Sequence, residues 1–129
     1  MPETPAGVLR YKQDVAEMGD ASSRLLDLRP VTFRYKAQPD GPLQYGLIAE
    51  EVNEVMPELV VRDATGQPET VAYHELPAML LNELLKQRAT IQAQQAAIEG
   101  LSAQLAAGRA RNDALEMRLA ALETWRTAK

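Results

Sequence analysis

The 129 residues contain no cysteine, one histidine, one tryptophan and one phenylalanine. Without thiols there are no disulfides, no cysteine nucleophile and no thiolate-held zinc. The single histidine, His74, has no second histidine at ligand spacing, so it reads as a surface residue at a helix start and not as a metal ligand. No stretch approaches the ~20 apolar residues of a membrane span. Met1-Pro2-Glu3-Thr4-Pro5 has no charged region followed by an apolar core, so no cleavable signal is expected. Basic charge is also scarce. Residues 1–73 hold seven Lys/Arg against twelve Asp/Glu, residues 74–129 hold seven against six, and the net charge is −4. With no basic stripe and no basic region ahead of the helix, neither phosphate binding nor a DNA-binding zipper has an electrostatic footing. Gly41, Gly46 and Gly66 form no phosphate-loop pattern. Glu50 and Glu51 are adjacent on an expected helix, about 100° apart. They cannot flank one bond as a glycosidase pair does and read as a solvated face.

What is present is a heptad register that fills the last third of the chain. One column reads Leu84, Ile91, Ile98, Leu105, Asn112, Leu119; the other reads Gln87, Gln94, Leu101, Gly108, Leu115, Leu122. Eight of these twelve positions are apolar, which is enough to predict that the helix pairs with copies of itself. The flanks agree: Glu83 precedes Arg88, Arg111 precedes Glu116 and Arg118 precedes Glu123, each a g position followed by the next e position. In a parallel, in-register bundle these pairs meet with opposite sign. Asn112, at an a position, costs stability and tends to fix register. Trp125 reads as a cap on the bundle, and the five methionines read as core filler.

Ahead of the helix, about 75 residues remain for a head, small enough to be marginal alone. Residues 1–8 are expected to be loose. Leu9-Arg10-Tyr11-Lys12 reads as a short strand or a turn. Asp20-Ala21-Ser22-Ser23 reads as a helix start, ending before Pro30. Val31 to Lys36 alternates and predicts a strand with Val31, Phe33 and Tyr35 inward, followed by a turn at 39–42 and a return strand over Leu43–Tyr45. Ile48, Val52, Val55 and Met56 follow helical spacing up to Pro57. Leu59–Arg62 and Thr70–Tyr73 read as two strands joined by a hairpin loop at 63–68. The long helix begins near His74-Glu75-Leu76, where Pro77 is acceptable in the first turn. Leu76, Met79, Leu80, Leu81, Leu84 and Leu85 make a broad apolar face, which suggests that the first turns pack on the head.

Three segments together resemble one known family. Arg10-Tyr11-Lys12 is followed by a short helix and then Leu28-Arg29-Pro30-Val31-Thr32-Phe33-Arg34-Tyr35. Next comes Tyr45-Gly46-Leu47-Ile48-Ala49-Glu50-Glu51-Val52, with Pro57-Glu58-Leu59-Val60 behind it. Last comes Val71-Ala72-Tyr73, leading into Leu76, Leu80 and the coiled coil. Over roughly residues 9–105 this is similar to the endosialidase-type C-terminal intramolecular chaperone domain of phage tail spikes and fibres. The resemblance implies a chaperone that aligns three chains behind a β-rich fibre and then cuts itself off by serine–lysine chemistry. In that chemistry a lysine takes the serine proton as general base. By resemblance the lysine is Lys12. The serine belongs five residues earlier, where this chain has Gly7; the neighbouring position, often acidic in the family, is Val8. Gly7 has no hydroxyl, so a member that does not cleave itself is expected. Thr4, Ser22 and Ser23 are not at the required spacing.

The expectation is therefore an α+β fold: a loose segment at 1–8, a mixed helix/strand chaperone head at 9–75, and a C-terminal helix at 76–127 forming a parallel coiled coil. The seam is Leu84, Ile91, Ile98, Leu101, Leu105, Asn112, Leu115, Leu119 and Leu122. The seam chemistry by itself leans toward two strands, and the resemblance implies three. The expected partners are copies of this chain and a tail-fibre polypeptide, upstream or separately encoded, with no nucleic acid, membrane, metal or cofactor. The motif lies a few residues after Met1 with no fibre in front, which fits a gene fragment or a chaperone acting in trans. By resemblance, the place of action is the cytoplasm of a bacterial host during phage or prophage assembly, or the virion where the domain is not cleaved. Two alternatives are an active self-cleaving endopeptidase and a plain coiled-coil adaptor.

Overall fold

A computed structural model describes residues 7–128. The chain divides into two compact units, residues 1–85 and 86–129. The first is a small α+β head and the second is a single helix.

In the head, two short antiparallel hairpins flank a seven-residue helix. Strand β1 (Val31–Phe33) pairs with β2 (Gln44–Gly46), Val31 facing Gly46 and Phe33 facing Gln44. The alternation expected over 31–36 holds for Val31 and Phe33, which are half-buried. It fails at Tyr35, which lies beyond the strand and is exposed, its ring edge-on to Phe33 at 5.2 Å. Pairing ends at Phe33, so the period-2 rule has no ladder to act on at Tyr35.

Helix α1 (Ala49–Val55) carries Glu50 and Glu51 in its first turn, where carboxylates suit the helix dipole. Val52 and Met56, one helical turn apart, are buried on the same side. The backbone leaves the helical region at Met56, ahead of Pro57, and a 3-10 turn over Pro57–Leu59 follows. Strand β3 (Val60–Arg62) then pairs with β4 (Pro68–Val71), with a bulge between Val61 and Arg62. The intervening loop is built on Asp63. Its Oδ1 accepts from the Thr65 N–H at 2.9 Å, the Thr65 hydroxyl at 2.6 Å and the Gln67 N–H at 3.0 Å. These bonds, the Thr65 hydroxyl first, hold the Asp63 carboxyl below its ordinary range. Gly66 supplies the positive φ of 85° that the loop needs.

The core is Leu25, Val52, Met56, Leu59 and Val71, with Leu28, Leu47, Leu76 and Met79 packed against it. The expected helix at 20–28 is a five-residue 3-10 segment, Ser23–Asp27, with Pro30 close behind leaving no room for an α-helix. Leu9–Tyr11 is likewise a 3-10 turn.

Helix α2 runs unbroken from Leu76 to Thr127, through Gly100 and Gly108. Of the broad apolar face expected on its first turns, only Leu76 and Met79 pack on the core. Leu80, Leu81, Leu84 and Leu85 are exposed, while Glu83 is buried.

Candidate functional site

The catalytic positions implied by resemblance lie in an exposed stretch. Gly7 is in open space, with nothing within 4 Å of where a side chain would begin. Lys12 follows the turn at 9–11, tied to it by its backbone N–H on the Leu9 carbonyl at 2.9 Å. Its side chain stands in solvent, and among the described residues no hydrogen bond or ion pair reaches its ammonium. Thr4 and Ala6 lie outside the described residues. The structure thus places Gly7 and Lys12 on either side of the turn at 9–11, both exposed.

The recurring segments meet in a different way: they hold the head shut. Arg29, beside Pro30, forks onto Glu51 of α1, with Nε to Oε1 at 3.0 Å and Nη2 to Oε2 at 2.6 Å. Glu51 therefore has a partner and is more than a solvated face. The hydrogen bond from Arg29 holds its carboxyl below the ordinary range. Arg24 caps the other end of α1, donating to the Val55 carbonyl at 2.9 Å and to Glu58 at 2.8 Å.

Tyr73, from the third segment, reaches back to the second. Its hydroxyl accepts from the Leu47 N–H at 3.1 Å and donates to the Leu47 carbonyl at 3.3 Å. That approach is possible because residue 46 is glycine: a Cβ there would stand 2.9 Å from the Tyr73 oxygen and 3.3 Å from a Phe33 ring carbon. The Tyr-Gly-Leu-Ile block is thus a backbone seat for Tyr73.

A third contact has no signature in the sequence. Ser22, fully buried, donates its hydroxyl to Glu83 Oε1 at 2.8 Å. Asn82 donates to the Ser22 oxygen at 2.8 Å and to the Gly19 carbonyl at 2.9 Å. Glu83, expected at a g position to meet Arg88 across the coiled-coil interface, is instead 5% exposed inside the head. The heptad places it at a g position, and nothing near it in sequence announces Ser22, 61 residues away.

Beside Tyr73 runs an open apolar groove of about 680 Å³, lined among others by Leu25, Leu28, Val31, Leu47, Leu76 and Leu80. Its lining holds no charged side chain, and no metal-ligating cluster lies among the described residues. The groove is a surface for apolar contact.

Along α2 the eight apolar seam residues lie 51–64% exposed on the single chain, from Leu84 at 62% to Leu122 at 63%. Asn112 is exposed as well.

Residues 9–61 match the model of a peptidase family described as chaperone of endosialidase. The match runs from the turn that precedes Lys12 to strand β3 and covers less than half of the chain. No curated protein matches the chain.

Proposed function

We propose that this domain is a trimerising chaperone for a phage or prophage tail fibre or spike, and that it does not cleave itself. The observation that carries the reading is the exposed seam joined to a chaperone-family head. Eight apolar side chains at heptad spacing, each more than half exposed, have no cover on a single chain. Complete burial of such a side chain is worth ~1.5–3 kcal/mol, so covering the remaining half of each gives roughly 6–12 kcal/mol per chain. An isolated helix does not offset its own ordering, so the tail is helical chiefly when associated. Parallel association would bring the g–e pairs Arg111–Glu116 and Arg118–Glu123 together. Its setting is the bacterial cytoplasm during fibre assembly, with the domain staying on the fibre because Gly7 offers no nucleophile. The client is a fibre polypeptide, encoded upstream or separately. Static light scattering at micromolar concentration tests the assembly. Three times the chain mass is expected, twice the mass would replace the trimer by a dimer, and a helical monomer would refute the reading.

A further inference from the structure

The buried polar cluster at 19–22 and 82–83 serves none of the roles described so far. The two ends of the cluster differ in kind. Ser22 belongs to a turn that begins at Gly19, where φ is +55°, and leads into the 3-10 segment carrying core residue Leu25. Asn82 and Glu83 belong to α2, which continues without a break to Thr127. Hydrogen bonds from Ser22 to Glu83 and from Asn82 to Ser22 and the Gly19 carbonyl join them, each ending on residue 82 or 83.

These bonds require a wound helix. Asn82 and Glu83 are consecutive, and both reach the same Ser22 oxygen or its proton. An unwound backbone at 82–83 does not hold the two side chains at that angle. If the helix unwinds, Ser22 and Glu83 lose each other, and a buried hydroxyl and carboxylate separated in this way cannot stay buried without cost. The head supplies little to keep α2 wound by itself. Among the described residues, Leu76 and Met79 are the apolar side chains of the helix that pack on the core, so the head holds little of the 52-residue helix beyond the cluster itself. The remaining winding force lies in the seam.

We propose that Ser22, Asn82 and Glu83 form a latch through which the head registers assembly: the segment 19–27 closes on α2 only when α2 is wound through Glu83, and pairing of the seam is what winds it. This rests on the self-association proposed above. Unassembled chains would then present an open head, with Leu25 and its segment released, and assembled chains a closed one. The device is directional because it is polar. An apolar patch would tolerate a slipped or partly wound helix, whereas three aligned bonds do not.

Amide hydrogen exchange read by mass spectrometry, with light scattering on the same samples, tests the latch on the full chain. Across a dilution series, protection of peptide 19–28 should fall about tenfold or more at the concentration where mass and protection of peptide 91–105 fall. Ser22→Ala changes no helix position. It should keep the assembled mass and the 91–105 protection while exchange at 19–28 quickens about tenfold or more, because the bond to Glu83 and the bond from Asn82 are both lost. Glu83→Gln keeps a carbonyl acceptor for Ser22 and should stay nearer the parent than Glu83→Ala. A dissociated chain that still protects 19–28 overturns the latch and leaves the assembly reading standing. A Ser22→Ala chain with unchanged 19–28 exchange overturns it too. A chain that is monomeric and helical at every concentration overturns both, and the scattering mass tells these cases apart.

Discussion

Gly46→Ala isolates the contact that ties the second recurring segment to the third. The new Cβ would stand 2.9 Å from the Tyr73 hydroxyl oxygen and 3.3 Å from Phe33 Cε1, inside normal contact distance for both. The tyrosine must swing away, and in doing so it gives up its bonds to the Leu47 N–H and carbonyl. Each is worth about 0.5–1.5 kcal/mol net, so the loss is ~1–3 kcal/mol. Against it stands the ~0.4–1 kcal/mol that alanine gains over glycine by restricting the unfolded chain. Gly46 has no positive φ, so backbone strain adds nothing. The net cost should be about 1–2 kcal/mol. Urea unfolding at one fixed protein concentration reads it as a lower midpoint with unchanged slope; the concentration is fixed because association shifts apparent stability. The decisive arm is a cycle with Tyr73→Phe, which removes the oxygen the methyl would meet. In that background Gly46→Ala should be close to neutral, a coupling near 1 kcal/mol. Additivity to within ~0.5 kcal/mol would show that Tyr73 is not what the glycine accommodates.

The elements that rest on local pattern are legible in the residues themselves. Val31 and Phe33 alternate, Val52 and Met56 are one helical turn apart, Pro57 stops α1, and the loop at 63–67 reads from Asp63 and Gly66. What resists sequence reading depends on partners distant in the chain. The heptad that correctly predicts a long helix gives Glu83 a g position facing Arg88, yet its partner Ser22 is 61 residues away. The same stripe suggests that Leu80, Leu81, Leu84 and Leu85 cover the head, but a five-residue core has room only for Leu76 and Met79. Arg29 and Glu51 can be named from the recurring segments, but their fork cannot, because charge pairing across 22 residues leaves no periodic trace. Gly7 and Lys12 are legible only as a spacing. The structure puts both in solvent, and among the described residues no hydrogen bond or ion pair runs through the Lys12 side chain.

Two further predictions follow from the glycines. Gly108→Ala meets open space inside an unbroken helix, so each helix should gain ~1 kcal/mol and the melting temperature should rise; no rise would show that α2 does not persist through 108 in solution. Gly7→Ser tests whether the chemistry is missing only its hydroxyl. The position is exposed and open, so a serine is accommodated and the head should melt as the parent does. The parent should keep its N-terminus, with Met1 removal the only processing. If Lys12 serves as base, Gly7→Ser should be cut directly after Ala6: the serine oxygen attacks the Ala6 carbonyl as Lys12 takes its proton, the C–N bond after Ala6 breaks as that proton passes to the departing amine, and water hydrolyses the ester that remains. Lys12→Ala in that background should stop the cut while leaving the melting curve in place, since the Lys12 side chain makes no contact with the core. Intact-mass spectrometry separates the three chains. A parent that loses residues 1–6 unaided would place the nucleophile elsewhere. A Gly7→Ser chain that is cut equally with and without Lys12 would remove Lys12 from the reaction.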